Sequence, residues 1–187
     1  PPGLTFVVVS DDAKEKMRNR KTPIASFYAN LKAFDGYYEK KWFPYTMPIS
    51  DIYGLRAAFN LIADDKTLYE RHARIGSATR AAVKEAGLKL HLQSGYSNTV
   101  TVFDIPECTD AKSILDEMRT KYNIMLAGSF DELSGKVIRI GHMGENARLE
   151  HMVPALEALS ANLTDLGVTL QGNLADLFLK HYREFQD

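Results

Sequence analysis

A single cysteine, Cys108, excludes an internal disulfide and any fold that depends on one, and nothing in the sequence argues for secretion. Long apolar runs are missing as well. None approaches the ~18 residues of a membrane span, and no basic segment followed by an apolar stretch marks a signal peptide. A cytoplasmic protein without a membrane partner is the expectation. Charge of one sign is also lacking: 23 Lys and Arg against 24 Asp and Glu leave a net charge of −1, which gives no long-range pull towards nucleic acid. His91, His151 and His181 do not fall at a metal-ligand spacing with a carboxylate pattern, so no metal is expected. Repeats and low-complexity tracts do not occur.

What is present is ordinary for a globular chain: 45% hydrophobic and 25% charged residues. A chain of 187 residues holds one domain, or one domain and a piece of another, and buries roughly 70% of its unfolded surface without a staple. Pro1-Pro2-Gly3 is not a translation start. It leads directly into Leu4–Ser10, whose β-branched run predicts a strand buried on both faces. Such a strand needs neighbours from upstream sequence, so a fragment or cleaved chain is expected.

Ser10 is a good N-cap, with Asp11 and Asp12 favourable to the dipole of the helix that follows. Lys14, Lys16, Arg18, Arg20 and Lys21 on it read as a solvated face in preference to a phosphate-binding patch. Thr22-Pro23 ends it. Phe27, Leu31, Phe34 and Tyr38 stand near helical spacing and predict a second helix over 26–40, while the aromatic, proline-broken stretch Trp42–Pro48 predicts irregular chain that covers a site or a partner. Ser50-Asp51 is read as the cap of another helix, with Ile52, Leu55, Phe59 and Ile62 on one stripe. A further helix spans about 65–86 and ends at Gly87, a C′ glycine. His72 lies on its apolar stripe as a satisfied boundary histidine.

From Leu88 the period changes. Leu88–Leu92, Thr99–Ile105, Ile124–Ala127 and Lys136–Gly141 read as strands. Helices open at Asp110, near Asn146 and at Gly172-Asn173. Pro154 is expected to kink the second of these. The β-β-α-β-β-α order predicts an α+β sandwich with a largely antiparallel sheet, and hence a mixed α/β chain. The domain division is placed at 1–62 and 63–187.

The stretch Lys136–Gly144 carries the chemistry. Side chains alternate along a strand, so Ile138 and Ile140 point one way, Val137 and Arg139 the other. An arginine in mid-strand needs a partner. Position alone leaves two readings open, a structural ion pair within the domain, the commoner outcome, or a receptor for a carboxylate or phosphate. His142 beside it either lines a site or packs the strand end.

Several separated motifs agree on one resemblance. Pro1-Pro2-Gly3 with its valine-rich strand and Ser10, Ser26–Lys32, Tyr45-Thr46-Met47-Pro48 and, most specifically, Arg139-Ile140-Gly141-His142-Met143-Gly144 resemble the alanine–glyoxylate/serine–pyruvate aminotransferase family. These are class V, fold-type I enzymes that use pyridoxal 5'-phosphate. The resemblance covers nearly the whole chain in order and implies the end of the large cofactor-binding domain followed by the C-terminal small domain. It implies that Arg139 grips the substrate carboxylate and that Thr46 reaches the cofactor phosphate of the neighbouring subunit in a homodimer. The family often has a tyrosine where this chain has Phe43, which cannot donate a hydrogen bond, so Tyr45 is a substitute candidate for that contact. The expected glycine-rich turn before the arginine strand is here Ala127-Gly128-Ser129-Phe130. The family's Schiff-base lysine is expected upstream of Pro1, so no catalytic residue is assigned in this chain and the isolated chain is expected not to turn over.

The implied reaction moves an amino group between a small amino acid, alanine or serine, and a 2-oxo acid, glyoxylate or pyruvate. Two alternatives stand beside it. A cysteine desulfurase-like lyase of the same fold needs a reactive thiol, whereas Cys108 has no adjacent cation or histidine in the sequence. A non-catalytic dimerisation or interaction fragment would use the 42–48 loop and the first strand as adhesive surfaces.

Overall fold

A computed structural model describes residues 3–185. The chain divides into two units, one through Asp65 and one from Lys66 onwards.

In the first unit Ser10 caps α1 (Asp11–Arg18), its hydroxyl accepting from the amide of Ala13 at 3.2 Å. The predicted strand 4–10 does not form a ladder: Phe6, Val7 and Val8 are exposed, Val8 at 99%. A β-branched run becomes a strand only where another edge meets its amides, and no described segment of this unit supplies one. The helix predicted over 26–40 is also replaced. Asn30 accepts from the Lys32 amide and opens a single 3-10 turn, Leu31–Phe34. Two rings of that pattern, Phe27 and Phe34, pack on Tyr45 instead, and Tyr28 joins them, with centroids 5.2–5.6 Å from it. Edge-to-face packing of this kind holds the irregular stretch Trp42–Pro48 together. Next comes α2 (Ile49–Asp64). Its N-cap is Pro48, without a side-chain cap bond, so the Ser50-Asp51 cap is corrected by two residues, and Asp51 contributes as first-turn charge.

The second unit begins with α3 (Leu68–Glu85), which ends in a Schellman motif. The amides of Gly87 and Leu88 bond to the carbonyls of Lys84 and Val83, and Gly87 takes φ +86 as that turn requires. The sheet is two-stranded and antiparallel, β1 (Val100–Asp104) with β2 (Val137–Gly141), and Val102 faces Arg139 in register. The other two predicted strands are reduced to single bridges, Leu90 to Phe103 and Ala127 to Arg139, which extend the sheet on either side without forming ladders. Asp110 caps α4 (Ala111–Tyr122), which leaves through Asn123 at φ +54.

A 17-residue helix, α5 (Leu149–Asp165), runs through Pro154 without a break in its helical assignment. Pro154 forfeits the bond to the Glu150 carbonyl, but both residues are exposed, so water can satisfy that carbonyl in place of the amide. Asn173 caps α6 (Leu174–Glu184), its side chain accepting from the amides of Ala175 and Asp176. Helices α3, α4, α5 and α6 close over one side of the sheet around Ile75, Phe103, Ile114, Met118, Ile138, Leu156, Leu159 and Phe178, all buried. A core of this size makes the second unit the rigid support on which β2 presents its arginine.

Candidate active site

Arg139 sits at the centre of β2, flanked in sequence by buried Ile138 and Ile140, and is itself half-buried. Its backbone is fixed from both sides. It pairs with Val102 of β1, and on the opposite edge its amide donates to the Ala127 carbonyl at 2.7 Å while its carbonyl accepts from the Ala127 amide at 3.2 Å. The same neighbouring segment holds its side chain. The guanidinium Nε donates to the Gly128 carbonyl at 2.5 Å, and the guanidinium carbon stands 5.9 Å from the centre of the Phe130 ring. One residue on, Asp131 takes φ +52, the left-handed region that a glycine enters without strain and Asp tolerates better than most.

Among the described residues no carboxylate lies within ion-pair distance of Arg139. The reading as a structural ion pair therefore has no partner. With Nε committed to Gly128, the two terminal nitrogens remain as donors in one plane, the arrangement that takes a carboxylate through two parallel bonds.

The open alternative for His142 is settled by burial. The ring is fully buried, Nδ1 donates to the Asn98 carbonyl at 3.1 Å, and Nε2 accepts from the Thr101 hydroxyl at 2.9 Å. Burial pushes its pKa down to about 4. It is a neutral packing residue that ties the end of β2 to the start of β1. Close approach of α3 to this point depends on Gly76, where a Cβ would stand 3.2 Å from the Asn98 backbone. His72 is satisfied as expected: Nδ1 donates to the Leu68 carbonyl at 2.6 Å, and Nε2 accepts the Gly144 amide at 3.0 Å. It pins the turn that follows β2 to α3.

In the first unit Thr46 is exposed and lines an open hollow of about 840 Å³ together with Tyr28, Phe34, Phe43, Tyr45 and Pro48. Its hydroxyl makes no hydrogen bond among the described residues, so a donor is ready for an added acceptor. The Tyr45 hydroxyl differs, because it donates its one proton to the Phe27 carbonyl at 2.6 Å. Cys108 is exposed in the turn Pro106–Thr109 after β1. Among the described residues there is no cluster of metal-ligating side chains, and no helix is long and apolar enough to cross a membrane.

The sequence named Arg139 and Thr46 but missed Gly128, whose carbonyl anchors Nε, and Phe130, whose ring stands beside the guanidinium. The only signal was the departure from a glycine-rich turn at 127–130. A side-chain bond to a main-chain carbonyl leaves no residue-type signature.

No protein-family model matches the sequence. Individual relatives do. The serine–glyoxylate aminotransferase of Methylorubrum extorquens is 36% identical over 180 residues, 90% of this chain and 43% of that protein. An uncharacterized aminotransferase of Methanocaldococcus jannaschii is 34% identical over 171 residues, 89% of this chain and 44% of that protein. Among solved structures, the pyridoxamine–pyruvate aminotransferase of Mesorhizobium loti superimposes with a TM-score of 0.85 at 30% identity, over 94% of this chain and 46% of that one. The chain spans less than half the length of these relatives. By sequence and by structure the chain corresponds to a C-terminal part of class V aminotransferases of the serine/alanine–glyoxylate kind, which have the pyridoxal-phosphate transferase fold.

Proposed function

We propose that the full-length protein is a pyridoxal-phosphate-dependent aminotransferase that moves an amino group between a small amino acid, alanine or serine, and a 2-oxo acid, glyoxylate or pyruvate. Residues 1–62 would be the end of the large cofactor-binding domain and its connecting helix, and 63–187 the small domain. The observation that carries the reading is Arg139: a half-buried guanidinium anchored at Nε, with no carboxylate at ion-pair distance among the described residues and two terminal nitrogens presented together. That is a receptor for the carboxylate that every amino acid and 2-oxo acid shares.

Pyridoxal phosphate, when bound, supplies the electron sink of the reaction. The unengaged Thr46 hydroxyl fits an acceptor oxygen of its phosphate, in a homodimer that of the neighbouring subunit. Tyr45 then shapes the loop that presents Thr46, since its proton is already donated within the loop. The Schiff-base lysine is assigned upstream of Pro1. This chain's contribution is orientation: two parallel bonds from Arg139 fix the substrate about its Cα, and positioning of this kind supplies several kcal/mol of a barrier.

The test is Arg139→Ala in the full-length protein. Leaving a bound carboxylate without its cation costs about 3–5 kcal/mol, so kcat/KM for alanine should fall by roughly 10²–10⁴-fold while cofactor absorbance is retained. Unchanged kcat/KM overturns the clamp.

A further inference from the structure

The Arg139 side chain is bounded by one short segment, and that segment supplies two different kinds of contact. The Gly128 carbonyl fixes the position of Nε at 2.5 Å, a single point about which the terminal nitrogens remain free to swing. The Phe130 ring, 5.9 Å from the guanidinium carbon, stands within the distance at which an aromatic ring attracts a cation and limits that swing. Phe130 is not a core residue. It is 70% exposed and belongs to none of the buried clusters, so its ring is not there to fill the interior. Exposing a phenyl ring carries a hydrophobic cost, and no packing among the described residues offsets it.

We propose that Phe130 is a positioning residue for substrate binding: its ring holds the Arg139 guanidinium in the plane that accepts a carboxylate of an amino or 2-oxo acid. This rests on the reading of Arg139 as the carboxylate clamp. The main chain carries the rest of the arrangement, because the Ala127 bridge places the 127–130 segment beside β2 whatever residue stands at 130. Removing the ring therefore loosens the arginine without moving it. Both bonds from Arg139 can still form in the variant, and what is lost is the share of free enzyme whose guanidinium already lies in the accepting plane. The loss therefore falls on binding: KM rises, while kcat, read from the complex in which both bonds are made, stays.

The experiment compares Phe130→Ala, Phe130→Leu and Phe130→Trp with the parent in the full-length protein, alongside Arg139→Ala. At an exposed site a cation–ring contact is worth a roughly two- to fivefold change. Phe130→Ala and Phe130→Leu should raise KM for alanine by that factor at constant kcat, and Phe130→Trp, which restores a ring face, should return it to the parent value. In nitrogen-15-labelled 187-residue chain, Phe130→Ala should broaden or shift the Arg139 Nε–H resonance, while the Ala127 and Arg139 amide resonances stay in place. An unchanged KM in Phe130→Ala, or a loss that leucine restores as well as tryptophan, overturns the positioning role. If Arg139→Ala itself leaves kcat/KM unchanged, the clamp reading fails and this inference with it. A large Arg139→Ala effect beside a silent Phe130→Ala sinks the inference alone.

Discussion

His142 couples the arginine strand to the pH of the medium through stability and not through catalysis. In the neutral tautomer both ring nitrogens are satisfied, and a second ring proton would place a charge in a fully buried site where it is also repelled by Arg80. Burial holds its pKa near 4, against 6.5 for an exposed histidine. Between these two values the unfolded chain binds a proton that the folded chain refuses. Stability must therefore fall as pH drops from about 6.5 to about 4, by about 3 kcal/mol in total. Urea unfolding of the parent and His142→Gln at pH 7 and pH 4.5 checks this. The parent should lose more of its unfolding free energy than the variant, and equal losses would show that His142 is not the group responsible. The carboxylates held below their usual range, such as Asp104 beside Lys89 and His91, contribute at lower pH and equally in both proteins. At this scale the sequence was informative about residue type and silent about partners. Arg139 could be named from its place in an apolar strand, but whether a carboxylate stood near it was decided by chain segments far away.

At the scale of elements, the legible features were those whose causes are local. Ser10, Asp110 and Asn173 each cap the helix that follows through a bond spanning two or three residues, and Gly87 ends α3 through two bonds within the same turn. These could be read because donor and acceptor lie within one short window. The strand at 4–10 and the helix over 26–40 could not, because both depend on partners elsewhere: the strand lacks an edge to join, and the rings of the helix pattern turn to Tyr45. Cap energetics give a direct check on α6. Asn173→Ala removes the acceptor of the Ala175 and Asp176 amides, though the Leu174 amide keeps its bond to the Ser160 hydroxyl. Loss of such a cap costs about 1 kcal/mol. Thermal unfolding should register a drop of a few degrees, and Asn173→Asp, which keeps an acceptor, should restore most of it. If alanine and aspartate are equally destabilising, the cap is not what Asn173 contributes.

At the scale of the whole molecule, the two units differ in what holds them. From Ile75 onwards the chain has a continuous buried core, whereas no described residue of the first unit reaches full burial. Tyr28, Trp42, Tyr53, Phe59 and Leu61 there are all more than half exposed. The stripe Ile52, Leu55, Phe59, Ile62 reads correctly as one helix face, yet within the unit that face stays largely exposed, with the Phe6 ring set edge-on to Phe59. Hydrophobic burial is the main favourable term that offsets the entropy of ordering a chain, so segments without it open at little cost. Hydrogen exchange of the 187-residue chain should therefore separate sharply. Amides of α3, α5, α6 and β1–β2 should exchange only through global opening, while those of α1, α2 and the 31–34 turn should approach unprotected rates. In the full-length protein, α2 should gain protection factors of at least 10², because the relatives extend over about twice this length and, on the proposed reading, the rest of such a chain covers that face. Equal protection of α2 in the short and full-length chains would show that its apolar stripe stays uncovered, and would favour the interaction-surface reading of this unit over its place at the end of a larger domain.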